Sequence, residues 1–162
     1  MPIRPATEAD AAAITAIYNE GIDDRVATFE TRPRETHEVE AWLSNGLPLL
    51  VDDEDGAILG FARVSAYSDR CVYQGVGEHG VYVARAARGR GAGRRLLEAL
   101  AAASEHAGFY KLTSRVFADN AASRAVHLAA GFHEVGIQRR HGRLDGEWKD
   151  CVLVERLLGS AR

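Results

Sequence analysis

Val81-Tyr82-Val83 runs into Ala84-Arg85-Ala86-Ala87-Arg88-Gly89-Arg90-Gly91-Ala92-Gly93-Arg94-Arg95, where an apolar strand signal gives way to arginines interleaved with glycines and then to a helix. Glycines at a strand-to-helix turn let the backbone close on a ligand, and the free N–H groups and dipole of the helix that follows favour an anion. In composition and position this is a pyrophosphate cradle. The Walker pattern requires a Gly-Lys-Ser/Thr ending and the dinucleotide fingerprint requires G-x-G-x-x-G; the spacing here is G-x-G-x-G, which disfavours a nucleoside triphosphate or NAD. A solvated arginine loop ahead of a helix would carry the same residues, so the stretch alone leaves both readings open.

Working outward, residues 78–83 read as a strand and 91–107 as a helix with Leu96, Leu97 and Leu100 on its apolar face, closed by Gly108. Residues 111–117 alternate as a strand, Asn120 caps a further helix that Gly131 ends, and 132–138 and 151–158 are the last two strands. Toward the N-terminus, a short strand at Ile3 precedes a helix that opens on a Thr7–Asp10 capping box, carries Ala13, Ile14, Ile17 and Tyr18, and ends near Gly21. Residues 23–33 read as a loop, and Thr36 caps a short helix bearing Val39, Trp42 and Leu43. Residues 47–51 and 57–65 form a β-hairpin around the turn-forming stretch 52–56. The order β-α-α-β-β-β-α-β-α-β-β describes a mixed α/β domain without repeats.

The chain's 162 residues suit one domain over 1–162, and 46% hydrophobic with 27% charged residues is an ordinary soluble composition. Twenty basic against 23 acidic residues give a net charge of −3, which disfavours nucleic acid as a partner. Cys71 and Cys151 form no CxxC pair, so a reducing cytoplasm is the expected compartment. No long apolar run suggests a membrane span or signal peptide. His37, His79, His106, His133 and His141 lack metal-ligand spacing, and no metal is expected. On an ideal strand His79 points to the face opposite Glu78.

Val81-Tyr82-Val83 with Arg88-x-x-Gly91-x-Gly93 resembles the acyl-CoA-binding motif of the GCN5-related N-acetyltransferases, a likeness that extends from Ile3 to Leu158. It implies the acyl-CoA N-acyltransferase fold, a mixed, mostly antiparallel central sheet flanked by helices, with acetyl-CoA as co-substrate. Val81, Tyr82 and Val83 would then offer backbone groups to the pantetheine arm, and Arg88, Gly89, Arg90, Gly91, Ala92, Gly93 and Arg94 would hold the phosphates. Asn120, Ser123 and His127 share one helix face at i, i+3 and i+7. The stretch from Asn120 to Gly131-Phe132 resembles the family's second signature, in which the Asn and Ser contact the coenzyme. Where the wider family commonly has a tyrosine this chain has His127. With Glu78, Ile17-Tyr18-Asn19, Ala27-Thr28-Phe29-Glu30-Thr31 and Gly146-x-Trp148-x-Asp150, that departure narrows the likeness to the phosphinothricin-type amino-acid N-acetyltransferases. Lys111-Leu-Thr-Ser-Arg-Val-Phe and Arg140-His-Gly-Arg-Leu-Asp-Gly look like the branch that acetylates arsinothricin.

The resemblance implies Glu78 as general base, directly or through a water, a backbone N–H near Val83 as oxyanion donor, and His127 as the acid for the thiolate or a partner orienting Glu78 or its water. The bland alternatives are an edge-strand carboxylate and a satisfied helical histidine. The implied acceptor is a small toxic glutamate analogue such as phosphinothricin, arsinothricin or methionine sulfoximine, whose acetylation confers resistance. Arg70 and Tyr73 stand where such enzymes bind its anionic groups; Arg115 is a further candidate, and Phe29, Glu30 and Thr31 would line the pocket. Another amino acid, a protein N-terminus or an aminoglycoside is the alternative acceptor, and an RNA- or phosphate-binding module is the reading from another class. A homodimer is also implied.

Overall fold

The computed structural model describes residues 3–162. Seven strands form one sheet: β1 (Ile3–Pro5), β2 (Leu49–Glu54), β3 (Ala57–Ala66), β4 (Val76–Val83), β5 (Lys111–Phe117), β6 (His133–Leu144) and β7 (Glu147–Leu157). Four α-helices accompany them: α1 (Ala11–Asp24), α2 (Thr36–Leu43), α3 (Ala92–His106) and α4 (Ala121–Ala129). The spatial order is β1-β2-β3-β4-β5-β7-β6, antiparallel throughout except for the central β4–β5 pair. This is the expected mixed, mostly antiparallel sheet flanked by helices.

Period-two alternation divides the strands between two cores. Leu50, Ala62, Val64, Leu112, Val152 and Val154 pack with Leu96, Leu97 and Leu100 of α3 on one face. Val51 and Phe61, their neighbours in sequence, turn to the other face and meet Ile14 and Ile17 of α1 and Val39 of α2. The apolar face expected for α3 is therefore the observed one. Among the described residues no helix is long and apolar enough to cross a membrane.

Several boundaries differ from expectation, each for a local reason. Helix α1 runs through Gly21 and ends at Arg25, which takes the left-handed cap with φ 59°. Gly21 is a close-approach residue: a Cβ there would lie 2.9 Å from the Tyr82 ring. Thr36 is the first residue of α2 and not its cap; Glu35 precedes it, its N–H donating to the Glu38 carboxylate at 2.7 Å. Strand β2 continues through Asp52 to Glu54, so the hairpin turn is Asp55-Gly56, both with positive φ. The final hairpin is longer than expected, closing on Asp145-Gly146 with φ of 51° and 82°. The part of β6 beyond Gln138 is polar and mostly exposed, so it carries no apolar alternation for a sequence reading to find.

Candidate active site

The parallel pairing of β4 with β5 covers only Val76–Glu78 against Lys111–Thr113. Beyond it the strands part, and a cavity of about 660 Å³ opens between residues 78–83 of β4 and 114–117 of β5. The start of α3, one face of α4 and the 26–29 stretch after α1 complete its walls. Glu78 lies at the last paired position and His79 at the first unpaired one, so both stand at the fork.

The arginine-glycine stretch forms one mouth of this cavity. Gly89 and Gly91 both have φ 81°, a left-handed conformation that turns the chain into α3. The first α3 bond runs from the Arg95 N–H to the Gly91 carbonyl at 3.2 Å, and the preceding amides of Ala92, Gly93 and Arg94 lie in the unbonded first turn. A Cβ at Gly93 would stand 3.3 Å from Val126 Cγ1, so a small residue is what lets α3 approach α4.

The arginines play different parts than their clustering suggested. Arg95 reaches the fully buried Asp52 at 2.9 Å and ties α3 to β2. Arg90 pairs with Glu54 at 2.6 Å and lies outside the cavity lining, and Arg94 pairs with Glu98 at 2.8 Å. Arg85 and Arg88 both reach Asp24 at 2.7 Å, and together they hold its carboxyl below the usual carboxylate range. All five arginines thus have carboxylate partners, and the acidic net charge is spent partly on them. Arg88 and Arg94 remain on the lining. Free helix-terminal amides, two left-handed glycines and two lining arginines fit a polyphosphate such as that of acetyl-CoA.

On α4, Asn120 is the expected cap and also something more. Its Oδ1 accepts from the Ser123 N–H at 3.1 Å, while its Nδ2 donates to the Val26 carbonyl at 2.9 Å and straps the 26–29 stretch across the cavity. Ser123 and His127 follow on the same face. His127 is buried, with Nδ1 2.8 Å from the Ser123 carbonyl and Nε2 3.0 Å from His79 Nε2. Its partner is therefore His79, and no hydrogen bond joins it to Glu78. Burial pushes both histidines toward neutrality, His79 to about 3 with a further push from its neighbour. Alternation puts His79 on the face of Val81, which packs against the core that α3 covers, but nothing in the sequence named His127 as its partner.

At the other end of the cavity stand Phe29, Arg115, His141 and Cys151. Phe29 packs edge-on against Phe117 at 4.8 Å beside Leu144 and Cys151. Cys151 is buried in the wall, and burial pushes its thiol up. Arg115 Nε donates to Gln138 Oε1 at 2.8 Å. A break in the β6–β7 register between Gln138 and Gly142, with Arg140 at φ 49°, swings His141 into the lining. His141 and Cys151 had no signal in the sequence. The structure does not bring the other expected acceptor residues to the cavity: Arg70 lies over the Tyr73 ring at 5.5 Å on the exposed connection, Glu30 pairs with Arg34, and Thr31 is exposed.

Comparison with known proteins agrees with this geometry. Residues 14–132 match the Acetyltransferase (GNAT) family. The chain belongs to that family. It is 37% identical over 98% of its length to a phosphinothricin N-acetyltransferase of Alcaligenes faecalis, of which it covers 83%. A GNAT superfamily phosphinothricin acetyltransferase of Sinorhizobium meliloti, solved in complex with acetyl-CoA, superposes with a TM-score of 0.91 at 33% identity, covering 99% of this chain and 91% of that one. A ribosomal-protein-alanine N-acetyltransferase of Brucella melitensis superposes with a TM-score of 0.93 at 33% identity, covering 98% of this chain and all of that one. This GNAT protein is an acetyltransferase that uses acetyl-CoA. Its cavity runs from the arginine-glycine mouth past the Glu78 carboxylate to a pocket holding Arg115.

Proposed function

We propose that the protein transfers the acetyl group of acetyl-CoA to the α-amino group of a small, anionic, glutamate-like amino acid such as phosphinothricin, arsinothricin or methionine sulfoximine, and so confers resistance to it. The observation that carries this reading is the placement of Glu78 and Arg115 on one cavity that also receives the cradle. The coenzyme supplies the acetyl group; the amine nitrogen forms its bond to the carbonyl carbon as the carbon–sulfur bond breaks. Glu78 takes the proton that the amine loses, directly or through a water, and Ser123 stands on the wall from which the departing sulfur would receive one. Arg115 holds the carboxylate or the phosphinate-like head, for which a planar fork of donors suits better than an ammonium. Val81, Tyr82 and Val83 of β4 flank the coenzyme arm.

A thiol-release assay over the three analogues, ordinary amino acids, an alanine-ended peptide and an aminoglycoside tests the acceptor. The expected result is the highest kcat/KM for one of the three analogues, and a preference for the peptide would favour the second reading, to which the Brucella likeness points. Arg115→Ala should raise the acceptor KM about 10- to 100-fold, the worth of one charge-assisted hydrogen bond. An unchanged KM there, with a raised one in Arg70→Ala, would move the anion site to the 67–75 connection.

The proposal extends to a single acetyltransferase domain over 1–162, acting as a homodimer in the cytoplasm. Val135 and Ile137 on β6 are 53% and 60% exposed, apolar surface that a second copy would cover. Sedimentation at micromolar concentration should give a dimer, and a monomer would overturn this part.

A further inference from the structure

His79 is the first residue of β4 beyond its pairing with β5, and its side chain is buried beneath α4. Its ring stands 4.7 Å from that of Phe132, with the His127 ring edge-on to the same phenyl at 5.2 Å. The distances fix the protons. The Ser123 carbonyl can only accept, so His127 Nδ1, 2.8 Å away, carries the hydrogen. In a neutral ring His127 Nε2 is then a bare lone pair. The 3.0 Å contact with His79 Nε2 is attractive only if His79 is the donor. His79 Nδ1 is then left without a proton, a buried nitrogen with no hydrogen-bond partner of good geometry, against the pull of the Thr113 carbonyl, which favours a proton on this ring. The opposite tautomer of His127 would set a lone pair against the Ser123 carbonyl.

We propose that His79 is a positioning residue for acetyl transfer: its Nε2–H holds His127 in the Nδ1–H tautomer and thereby fixes the first turns of α4, from which Asn120 and Ser123 face the cavity. His127 then offers the cavity no basic nitrogen, because Nε2 is spent on His79 and Nδ1–H on Ser123. The Ser123 Oγ lies 3.4 Å from His127 Nδ1, and toward a protonated nitrogen a hydroxyl can only accept, so its own hydrogen is free to point into the cavity. A lone buried histidine beside the general base is thereby turned into a clasp between β4 and α4.

The proposal rests on the acetyl-transfer reading for its kinetic consequence and on the protein alone for its tautomer. Ring nitrogens of His127 would be read by NMR in 15N-histidine-labelled protein, as wild type, His79→Gln and His79→Leu. A glutamine amide nitrogen reaches the place of His79 Nε2 and can still donate; leucine cannot. Wild type and the glutamine variant should show His127 protonated on Nδ1 and bare on Nε2, and the leucine variant should lose that single state. Turnover should stay within about threefold in the glutamine variant and fall about tenfold or more in the leucine variant, with the acceptor KM within about threefold. A proton on Nε2 of wild-type His127, or full turnover in a leucine variant that folds, overturns the proposal. If leucine prevents folding, the glutamine variant decides, since loss of turnover or of the tautomer there also overturns it. Absence of turnover on every amine with the tautomers as expected would instead count against the acceptor reading and leave the clasp standing, with the acetyl-CoA dissociation constant of the leucine variant, expected to rise, as its functional measure.

Discussion

Glu78→Ala is expected to lower acetyl-transfer turnover by about two to four orders of magnitude while leaving acetyl-CoA affinity nearly unchanged. The separation follows from where the carboxylate sits. Glu78 occupies the last register pair of β4 with β5, lines the cavity, and is half-buried. The groups proposed to bind the coenzyme are elsewhere, at the N-terminus of α3 and along α4, so removing the carboxylate should take nothing from them. Its backbone carbonyl accepts from Ser65 Oγ at 3.3 Å, a bond that survives side-chain truncation and keeps β3 and β4 in place. An ammonium acceptor must lose a proton before it can attack, and among the described residues no other carboxylate borders the cavity. The test is the pH dependence of kcat/KM for the acceptor in wild type, Glu78→Ala and Glu78→Gln, with acetyl-CoA binding measured in parallel. If the alanine variant keeps the wild-type pH profile, Glu78 has no part in the proton transfer.

How far the site could be read from sequence depends on whether a residue's role is local. The turn into α3 was legible because left-handed glycines and a helix start are properties of a few consecutive residues, and Gly89, Gly91 and the start of α3 lie where the pattern puts them. Asn120 was legible as a cap for the same reason. Gly21 was not: its smallness answers to Tyr82, sixty-one positions away, and a glycine that looks like a helix stop is instead a helix-to-strand contact. The arginines misled in the same manner. Five of them in a short stretch read as one anion site, yet their carboxylate partners come from α1, β2 and α3 itself, and only pairing in space divides structural from lining residues. Arg70 and Arg115 show the limit most plainly, since both are arginines near the right strands and only Arg115 borders the cavity. His79 lay between these cases: alternation gave its face, but the tautomer needed the 2.8 Å contact of its partner with Ser123.

Gly91→Val should raise the acetyl-CoA dissociation constant about 100-fold or more while the protein still folds. At φ 81° and ψ 6° Gly91 holds a conformation that a β-branched residue adopts only with strain of about 1–3 kcal/mol. The strain is relieved by rotating the neighbouring peptide groups, and those are the ones that aim the amides of Ala92 and Gly93 out of the first turn of α3. Each amide–phosphate hydrogen bond is charge-assisted and contributes about 1.5–3 kcal/mol, so misdirecting two of them accounts for a loss of two orders of magnitude or more. The new side chain itself meets little, because the nearest atom is the flexible Arg95 Nη1, 3.2 Å from the Cβ position. The core under α3, with Leu96, Leu97 and Leu100 fully buried, is untouched. Gly89→Ala makes the graded comparison: it has the same φ of 81° and open space around it, but precedes the helix and should cost less. Thermal unfolding with and without acetyl-CoA reads both quantities at once, since a ligand at 100 times its dissociation constant stabilises the wild type by about 2.7 kcal/mol. At that same concentration the valine variant should melt within a few degrees of the free wild type and gain almost nothing from the coenzyme. An undiminished shift in the valine variant would place the phosphates somewhere other than the start of α3.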